Sequence, residues 1–469
     1  MDSRHEYCAM KNKYRCLGSR STGCFERSNM QAGEVLRRVA FNTLDMIKGG
    51  KMNRIMEVNE SEIVRGITPE YEERRLCAIT DYARYNCAFY KDIPEDHTLT
   101  DFPVMRKMDY NEHRQEILAD EYQGKEDTLY QLNTSGSTGV PFTVYADPEK
   151  MTRVLMNTMA VYELNGFRMG MKRGEFRVWI EGKNVITPWK SFKNNLQMID
   201  ISNMGDDYLA TVCERIRKEK MQCLVAYSSA LTALTEYIKR ENVDVSRWQV
   251  EMIFSMGEAL PDSTYSLIEE IFGFSPVRSY GNNENGFIAV SLPSDDRYVA
   301  DLYNFYVEIL KLNSDEPADP GEVGRIVVTD YYNRAFPMIR YDTGDTGVYC
   351  TEIDKYGRKH GYFTEIYGRR GSLLFNTKGE PLSIHVFMNV LLKLEGVVHQ
   401  SKCIQWEKKR YELLVNADKD NLDEEMLVGL YRRYLGEDAQ IDVTYVDEIP
   451  VQASGKRMVC ENRCPDYVK

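Results

Sequence analysis

Through the middle of the chain, short apolar runs alternate with stretches of helical periodicity. Arg177-Val178-Trp179-Ile180, Leu224-Val225-Ala226-Tyr227, Met252-Ile253-Phe254-Ser255 and Pro276-Val277-Arg278-Ser279-Tyr280 read as strands. Between them, Asp206–Lys218, Ala230–Lys239 and Asp262–Phe272 read as helices, the last with Gly273 just beyond its end. Strand–helix alternation predicts a mostly parallel sheet with helices over its faces. In such sheets ligands bind where the chain leaves the carboxyl ends of the strands.

The flanks follow other patterns. Pro69–Tyr90 carries Leu76, Ile79, Tyr82 and Ala83 at helical spacing, and Phe142-Thr143-Val144-Tyr145 alternates like a strand. Asp147-Pro148 is an N-cap with proline at the first helical position. From Tyr303 to Tyr349 the pattern changes to short strands and tight turns, which predicts an antiparallel or barrel-like subdomain. Beyond Gly368-Arg369-Arg370-Gly371 the order helix, two strands, helix, strand marks a small α+β domain. Residues 1–65 are basic and irregular and read as a weakly packed extension with one helix near Ala32–Ile47. The expected organisation is an extension (1–65), a large domain of parallel sheets and helices with the barrel-like part (66–367), and a small C-terminal domain (368–469).

Composition narrows the function. A net charge of −12 over 469 residues disfavours general binding to nucleic acid or anionic membranes. No apolar run approaches the roughly 18–20 residues of a membrane span, and the polar first residues show no secretory signal. The odd cysteine count, 11, fits reduced thiols in a cytoplasm, and no cysteine spacing suits zinc. The chemistry begins at Thr134-Ser135-Gly136-Ser137-Thr138-Gly139, followed by Val140-Pro141. Two glycines free the backbone N–H groups, and four hydroxyls add donors, which suits phosphate. A Gly-Lys-Ser/Thr ending is missing, so this is not the P-loop of nucleoside triphosphatases. On its residues alone, the loop reads equally well as a small-residue surface turn.

Five segments in order resemble the adenylate-forming superfamily of acyl-CoA ligases and adenylation enzymes. They are Thr134–Pro141, Gly257-Glu258-Ala259-Leu260, Tyr280-Gly281-Asn282-Asn283-Glu284, Arg340-Tyr341-Asp342-Thr343-Gly344-Asp345 and Ala453-Ser454-Gly455-Lys456. Asp101-Phe102-Pro103-Val104, Ile201-Ser202-Asn203-Met204 and Ala226-Tyr227-Ser228-Ser229-Ala230-Leu231 are similar to the phenylacetate–CoA ligase branch and its capsule-biosynthesis relatives. The likeness runs from about residue 70 to the end. It implies an α/β large domain with a small mobile C-terminal domain. It also implies a reaction joining a carboxylate to ATP with Mg²⁺ to give acyl-AMP and pyrophosphate, followed by transfer to coenzyme A.

The resemblance implies a role for each residue. Thr134, Ser135, Gly136, Ser137, Thr138 and Gly139 hold the β- and γ-phosphates. Glu284 holds Mg²⁺, whose hard charge prefers carboxylate oxygen. Gly257 and Glu258 lie ahead of the adenine site, Tyr280 stacks on adenine, Gly281 continues that segment, and Asn283 donates to the α-phosphate. Asp345 accepts the ribose hydroxyls, Arg369 contacts ribose or phosphate, and Lys456 bridges the attacking carboxylate and an α-phosphate oxygen. Tyr162, Trp179, Tyr227 and Phe254 are aromatic candidates for the acyl pocket, and each reads equally well as a core aromatic.

Three positions depart from the family pattern. Phe142 stands where a lysine often follows the proline, Ser372 occupies the hinge position, and Asp342 replaces an arginine. The rival readings are an enzyme that passes the acyl group to an amine, an amino sugar or a carrier protein, and a degenerate ATP-binding scaffold. A homodimer is compatible with all three. The sequence names neither the acid, the acceptor nor the pathway.

Overall fold

The computed structural model describes residues 31–134, 142–177, 179, 185–201, 204–293, 295–369, 373–379, 381–382, 387, 390, 394, 397–417, 421–449 and 459–467. The chain forms two compact units. One contains Met1–Thr68, Met151–Tyr303 and Ile353–Tyr362; the other contains Pro69–Lys150, Asn304–Glu352 and Phe363–Lys469. In chain order the strands are β1 (Tyr130–Thr134), β2 (Phe142–Ala146), β3 (Arg173–Arg177), β4 (Leu196–Asp200), β5 (Cys223–Tyr227), β6 (Met252–Met256), β7 (Val277–Asn282), β8 (Gly286–Leu292) and β9 (Asp295–Ala300). They continue with β10 (Phe305–Leu310), β11 (Gly324–Asp330), β12 (Tyr341–Ile353) and β13 (Lys359–Arg369).

In the first unit the strand order is β9-β8-β7-β6-β5-β3-β4. The run from β7 to β4 is parallel, and β8 and β9 are antiparallel. Side chains alternate across β5 and β6 because successive Cβ atoms point to opposite faces. Cys223, Val225, Met252 and Phe254 enter one core with Met159 and Tyr162. Leu224, Ala226 and Ile253 enter another with Leu209, Val212, Leu231 and Ile268 of the covering helices Asp206–Glu219, Ser228–Arg240 and Asp262–Phe272. Burial on both faces is what a parallel sheet requires.

Two expectations change here. The strand expected at 177–180 runs instead over Arg173–Arg177, and Val178 and Ile180 lie outside the described residues. Charge hid it: Arg173 and Arg177 both bind the Glu175 carboxylate, at 2.8 and 3.1 Å, while Phe176 is fully buried on the other face. Residues 32–65 are not weakly packed. Helix Ala32–Ile47 is followed by a second, Lys51–Arg65, whose Ile55, Met56 and Ile63 belong to the first core. Fully buried Glu34 accepts from Arg168 at 2.8 Å and from Gln222 at 2.9 Å, and Arg168 also binds Glu251 at 2.7 Å. The polar character of 31–65 concealed the second helix and the buried ion pair that ties the first one down.

In the second unit β1 and β2 form a hairpin, and β10, β11 and β12 form antiparallel neighbours. Among the described residues these strands close no barrel. Within the stretch Tyr303–Tyr349 read as short strands and turns, β12 begins at Tyr341, and Met338 and Ile339 ahead of it fill a core with Tyr90, Phe102, Tyr110 and Phe142. The C-terminal part is α+β. Strands β16 (Val398–Glu407), β17 (Arg410–Ala417), β18 (Gln440–Tyr445) and β19 (Cys460–Asn462) pair in the order β18-β17-β16-β19, with β14 (Leu374–Phe375) and β15 (Pro381–Leu382) ahead of them. Helix Glu424–Leu435, N-capped by the Asp423 side chain, packs Leu427, Tyr431 and Leu435 against Cys403, Leu413 and Val415. The first helix expected in this domain falls mostly outside the described residues, which ahead of β16 include buried Phe387, Val390 and Leu394. Among the described residues no helix is long and apolar enough to cross a membrane.

Candidate functional site

In the first unit, parallel pairing brings the carboxyl ends of β5, β6 and β7 side by side, with Tyr227 opposite Met256. Past β6, Gly257 adopts φ +75°, and a Cβ there would lie 2.5 Å from the Tyr227 ring. Glycine is required twice over: for the left-handed backbone and for the aromatic ring lying across it. Glu258 then turns back onto the start of helix Ser228–Arg240, where the Ser229 N–H donates to its carboxylate at 3.0 Å. A negative group at a helix N-terminus is favourably placed.

Three serines bind these strand ends together. Ser228 Oγ donates to the Glu258 carbonyl at 2.8 Å and lies 2.7 Å from Ser255 Oγ. Ser279 Oγ donates to the Ser255 carbonyl at 2.8 Å. These serines were not singled out in the sequence, although Ser228 lies inside the quoted stretch 226–231; their signal is a serine at the end of each neighbouring strand.

Tyr280 and Gly281 lie on β7 where its pairing with β8 shifts register. A Cβ on Gly281 would sit 2.3 Å from the Gly286 carbonyl, so the hairpin backbones touch there. The turn is held by the Asn285 N–H donating to Asn282 Oδ1 at 2.8 Å. It leaves Asn283 exposed and Glu284 1% exposed. Tyr280 is 8% exposed.

Of the four aromatic candidates for the acyl pocket, Tyr162 and Phe254 are core residues, their rings edge to face at 4.8 Å. Burial pushes the Tyr162 phenol well above its usual range. Trp179 is half-buried and donates its indole N–H to the Ile199 carbonyl at 3.1 Å. Tyr227 alone of the four lies against Gly257, at the strand ends.

The second unit carries the remaining candidates. Thr134 pairs with Phe142 at the loop end of the β1–β2 hairpin. Ser135, Gly136, Ser137, Thr138 and Gly139 lie outside the described residues, as does Lys456. Phe142, which replaces the lysine of the wider pattern, is a core residue stacked on Tyr341 at 6.1 Å. The Lys107 ammonium stands 5.4 Å over its ring.

Segment 340–345 rests on buried charge. Arg340 has φ +48° and is held there by Glu308 at 3.0 Å, by the Phe102 carbonyl at 3.2 Å, and through its N–H by Thr329 Oγ1 at 3.0 Å. Burial pushes the Glu308 carboxyl above its usual range against the pull of Arg340. Asp342 does not leave a bare negative wall: its carboxylate accepts from Arg325 at 2.7 Å and from the Gly344 N–H at 2.9 Å. Half-buried Asp345 is positioned by its N–H donating to Thr343 Oγ1 at 3.2 Å, and that hydroxyl donates to the Ile326 carbonyl at 2.9 Å. Arg369 ends β13, with its backbone alone described. Among the described residues no group of three or more His, Cys, Asp or Glu side chains is placed to hold a metal ion, and the described cysteines are free thiols.

Residues 374–462 match the family model of the CapK C-terminal domain. Protein CapK of Staphylococcus aureus is 22% identical over 418 residues, covering 84% of this chain and 89% of that protein. Phenylacetate–coenzyme A ligase of Thermus thermophilus is 23% identical over 182 residues, covering 38% of this chain and 40% of the ligase. Among solved structures, 2-hydroxyisobutyryl-CoA ligase, crystallised in the postadenylation state with an acyl-AMP, superposes with a TM-score of 0.63 at 15% identity, covering 84% of this chain and 90% of that one. The fold, the order of the motifs and these relatives agree in one likeness: the chain is similar to the adenylate-forming enzymes, and among them to CapK and phenylacetate–coenzyme A ligase.

Proposed function

We propose that this protein activates a carboxylic acid with ATP and Mg²⁺, forming acyl-AMP and pyrophosphate, and then passes the acyl group to coenzyme A. The observation that carries the proposal is the convergence of Tyr227, Gly257-Glu258 and the Tyr280–Glu284 hairpin at the carboxyl ends of three adjacent parallel strands. This is where an α/β sheet takes its ligands. Two glycines there leave the surface without Cβ atoms.

The chemistry of the residues fits the nucleotide and the metal. Buried Glu284 offers the hard oxygen that Mg²⁺ prefers. The metal supplies neutralisation of phosphate charge. Tyr280 offers a ring for adenine, and Asn283 an amide donor for the α-phosphate. Asp345 offers two acceptor oxygens for the ribose hydroxyls, in a turn whose neighbouring Asp342 is already neutralised by Arg325. Thr134 to Gly139 cradle the terminal phosphates, and Arg369 contacts ribose or phosphate. Lys456 brings the cation that lets two anions, the carboxylate and the α-phosphate, approach each other. The bounds 66–367 and 368–469 are proposed as the large domain and the small domain that carries Lys456.

The second reading of the acceptor is an amine, an amino sugar or a carrier-protein thiol, since the family matched by 374–462 is named for CapK and not for a coenzyme A ligase. The test is pyrophosphate–ATP exchange with a panel of aliphatic, hydroxylated and aromatic acids. Exchange stimulated by one acid supports adenylation. Its absence across the panel, with ATP binding intact, leaves the scaffold reading and overturns this one. Adding coenzyme A, amino sugars or amines to the active pair then identifies the acceptor.

A further inference from the structure

Helix Ala32–Ile47 is turned the opposite way from an ordinary surface helix. Its acids face inward: Glu34 is fully buried in the Arg168 ion pair, and Asp45, 4% exposed, accepts from the Met52 and Asn53 N–H groups at 2.9 Å each. Phe41 packs against the first core, and five other apolar side chains face out. Leu36 is 70% exposed, Val39 57%, Leu44 52%, Met46 70% and Ile47 73%. The inward polar bonds at both ends fix this orientation, so the exposure is built in.

A second group of exposed apolar side chains stands on the short helix Pro188–Asn194 of the same unit, with the Arg37 guanidinium 4.9 Å over the Phe192 ring between the two groups. Trp189 and Phe192 are 72% and 64% exposed, with rings stacked at 5.9 Å. Arg37 joins the two helices: its Nε and Nη2 donate to the Phe192 carbonyl at 3.0 and 2.9 Å. These seven side chains expose roughly 800 Å² together, taking about 150–250 Å² for a bare aromatic and somewhat less for an aliphatic. A typical monomer shows a largest apolar patch of about 300–600 Å².

The charge around the patch is one-sided. Residues 31–54 and 185–195 hold seven basic side chains and two acidic ones, Glu34 and Asp45, both buried. Lys48, Lys51, Arg54, Lys190 and Lys193 are exposed, and after Arg54 the first exposed acid in the sequence is Glu57. The chain as a whole carries −12. A second copy docked here across a two-fold axis would set this basic fringe against itself. An anionic bilayer meets both features, taking the apolar side chains into its interface and the lysines onto its headgroups.

We propose that the face formed by Leu36, Val39, Met46, Ile47, Trp189 and Phe192 docks this protein on an anionic lipid surface. The inference does not rest on the adenylation reading. The test is sedimentation of the full chain with vesicles of phosphatidylcholine alone or with about 30% phosphatidylglycerol. The expected result is at least tenfold stronger partition onto the anionic vesicles, weakened severalfold by 0.5 M salt. The double substitution Ile47→Ser/Trp189→Ser lowers binding at least tenfold, and Lys190→Glu/Lys193→Glu abolishes the anionic preference. Because all four side chains are exposed, the far-UV dichroism and melting temperature of both variants stay unchanged. Three results overturn the proposal: no binding by the full chain at any lipid composition; a dimer lost on Ile47→Ser/Trp189→Ser without vesicle binding; or binding only after removal of residues 1–30, which assigns the face to that segment.

Discussion

At the strand ends of the first unit, candidate residues are placed where backbones touch; in segment 340–345 of the second, they are placed by charges out of water. Gly257 lies under the Tyr227 ring, Gly281 against the Gly286 carbonyl, and three serines stitch the strands. Arg325–Asp342 and Arg340–Glu308 are ion pairs with side chains 3% to 13% exposed. Contact sites fail when an atom is added, because close-packed interiors have nowhere to put it. Buried pairs fail when one partner is removed, because the other charge is stranded. The same substitution therefore has different consequences in the two regions.

The largest expected effect is Arg325→Met. Asp342 then loses its partner in a dry environment, and the cost is about 3–5 kcal/mol, read as a shift in the denaturant midpoint. Arg325→Met/Asp342→Asn recovers at least half of it. If the double variant is no more stable than the single, Arg325 acts through its bonds to the Lys311 and Ser314 carbonyls instead.

Gly281→Ala comes next. Its Cβ meets backbone, which yields less readily than a side chain, and the loss is about 2–3 kcal/mol. A loss under about 0.5 kcal/mol would mean the β7–β8 hairpin relaxes freely and does not fix Glu284. Ser228→Ala is the smallest, at about 1 kcal/mol, because it removes one neutral donor from a network that keeps its other members. In the contact region small deletions are thus tolerated and small additions are not; the buried-charge region reverses that order.

The parallel sheet was legible because most of its strands are apolar runs and its helices have clear periods, the last one stopped by Gly273. The strand Arg173–Arg177 was not, since its Arg-x-Glu-x-Arg side satisfies itself with ion pairs, a pairing that periodicity does not record. Helix Lys51–Arg65 was hidden for a related reason: its surface is polar, and the interactions holding this part of the chain involve Arg168, Gln222 and Glu251, far away in sequence. The site motifs were readable as local spacings, glycines and hydroxyls especially. Their supports were not: nothing near Asp342 announces Arg325, and nothing near Gly257 announces Tyr227. Of the aromatic candidates, Tyr162 and Phe254 look the same in sequence as Tyr227, and only packing separates the two core rings from the one at the strand ends.

The most direct test of the central claim is mass spectrometry of quenched reactions containing ATP, Mg²⁺ and the acid that stimulates exchange. The account predicts acyl-AMP bound to the native protein. With Lys456→Ala, its yield falls at least ~100-fold, as for loss of a charge-stabilising group in the transition state, while transfer from supplied acyl-AMP persists. Acyl-AMP made equally well by the Lys456→Ala protein, or ADP and acyl phosphate made in its place by the native one, would contradict it.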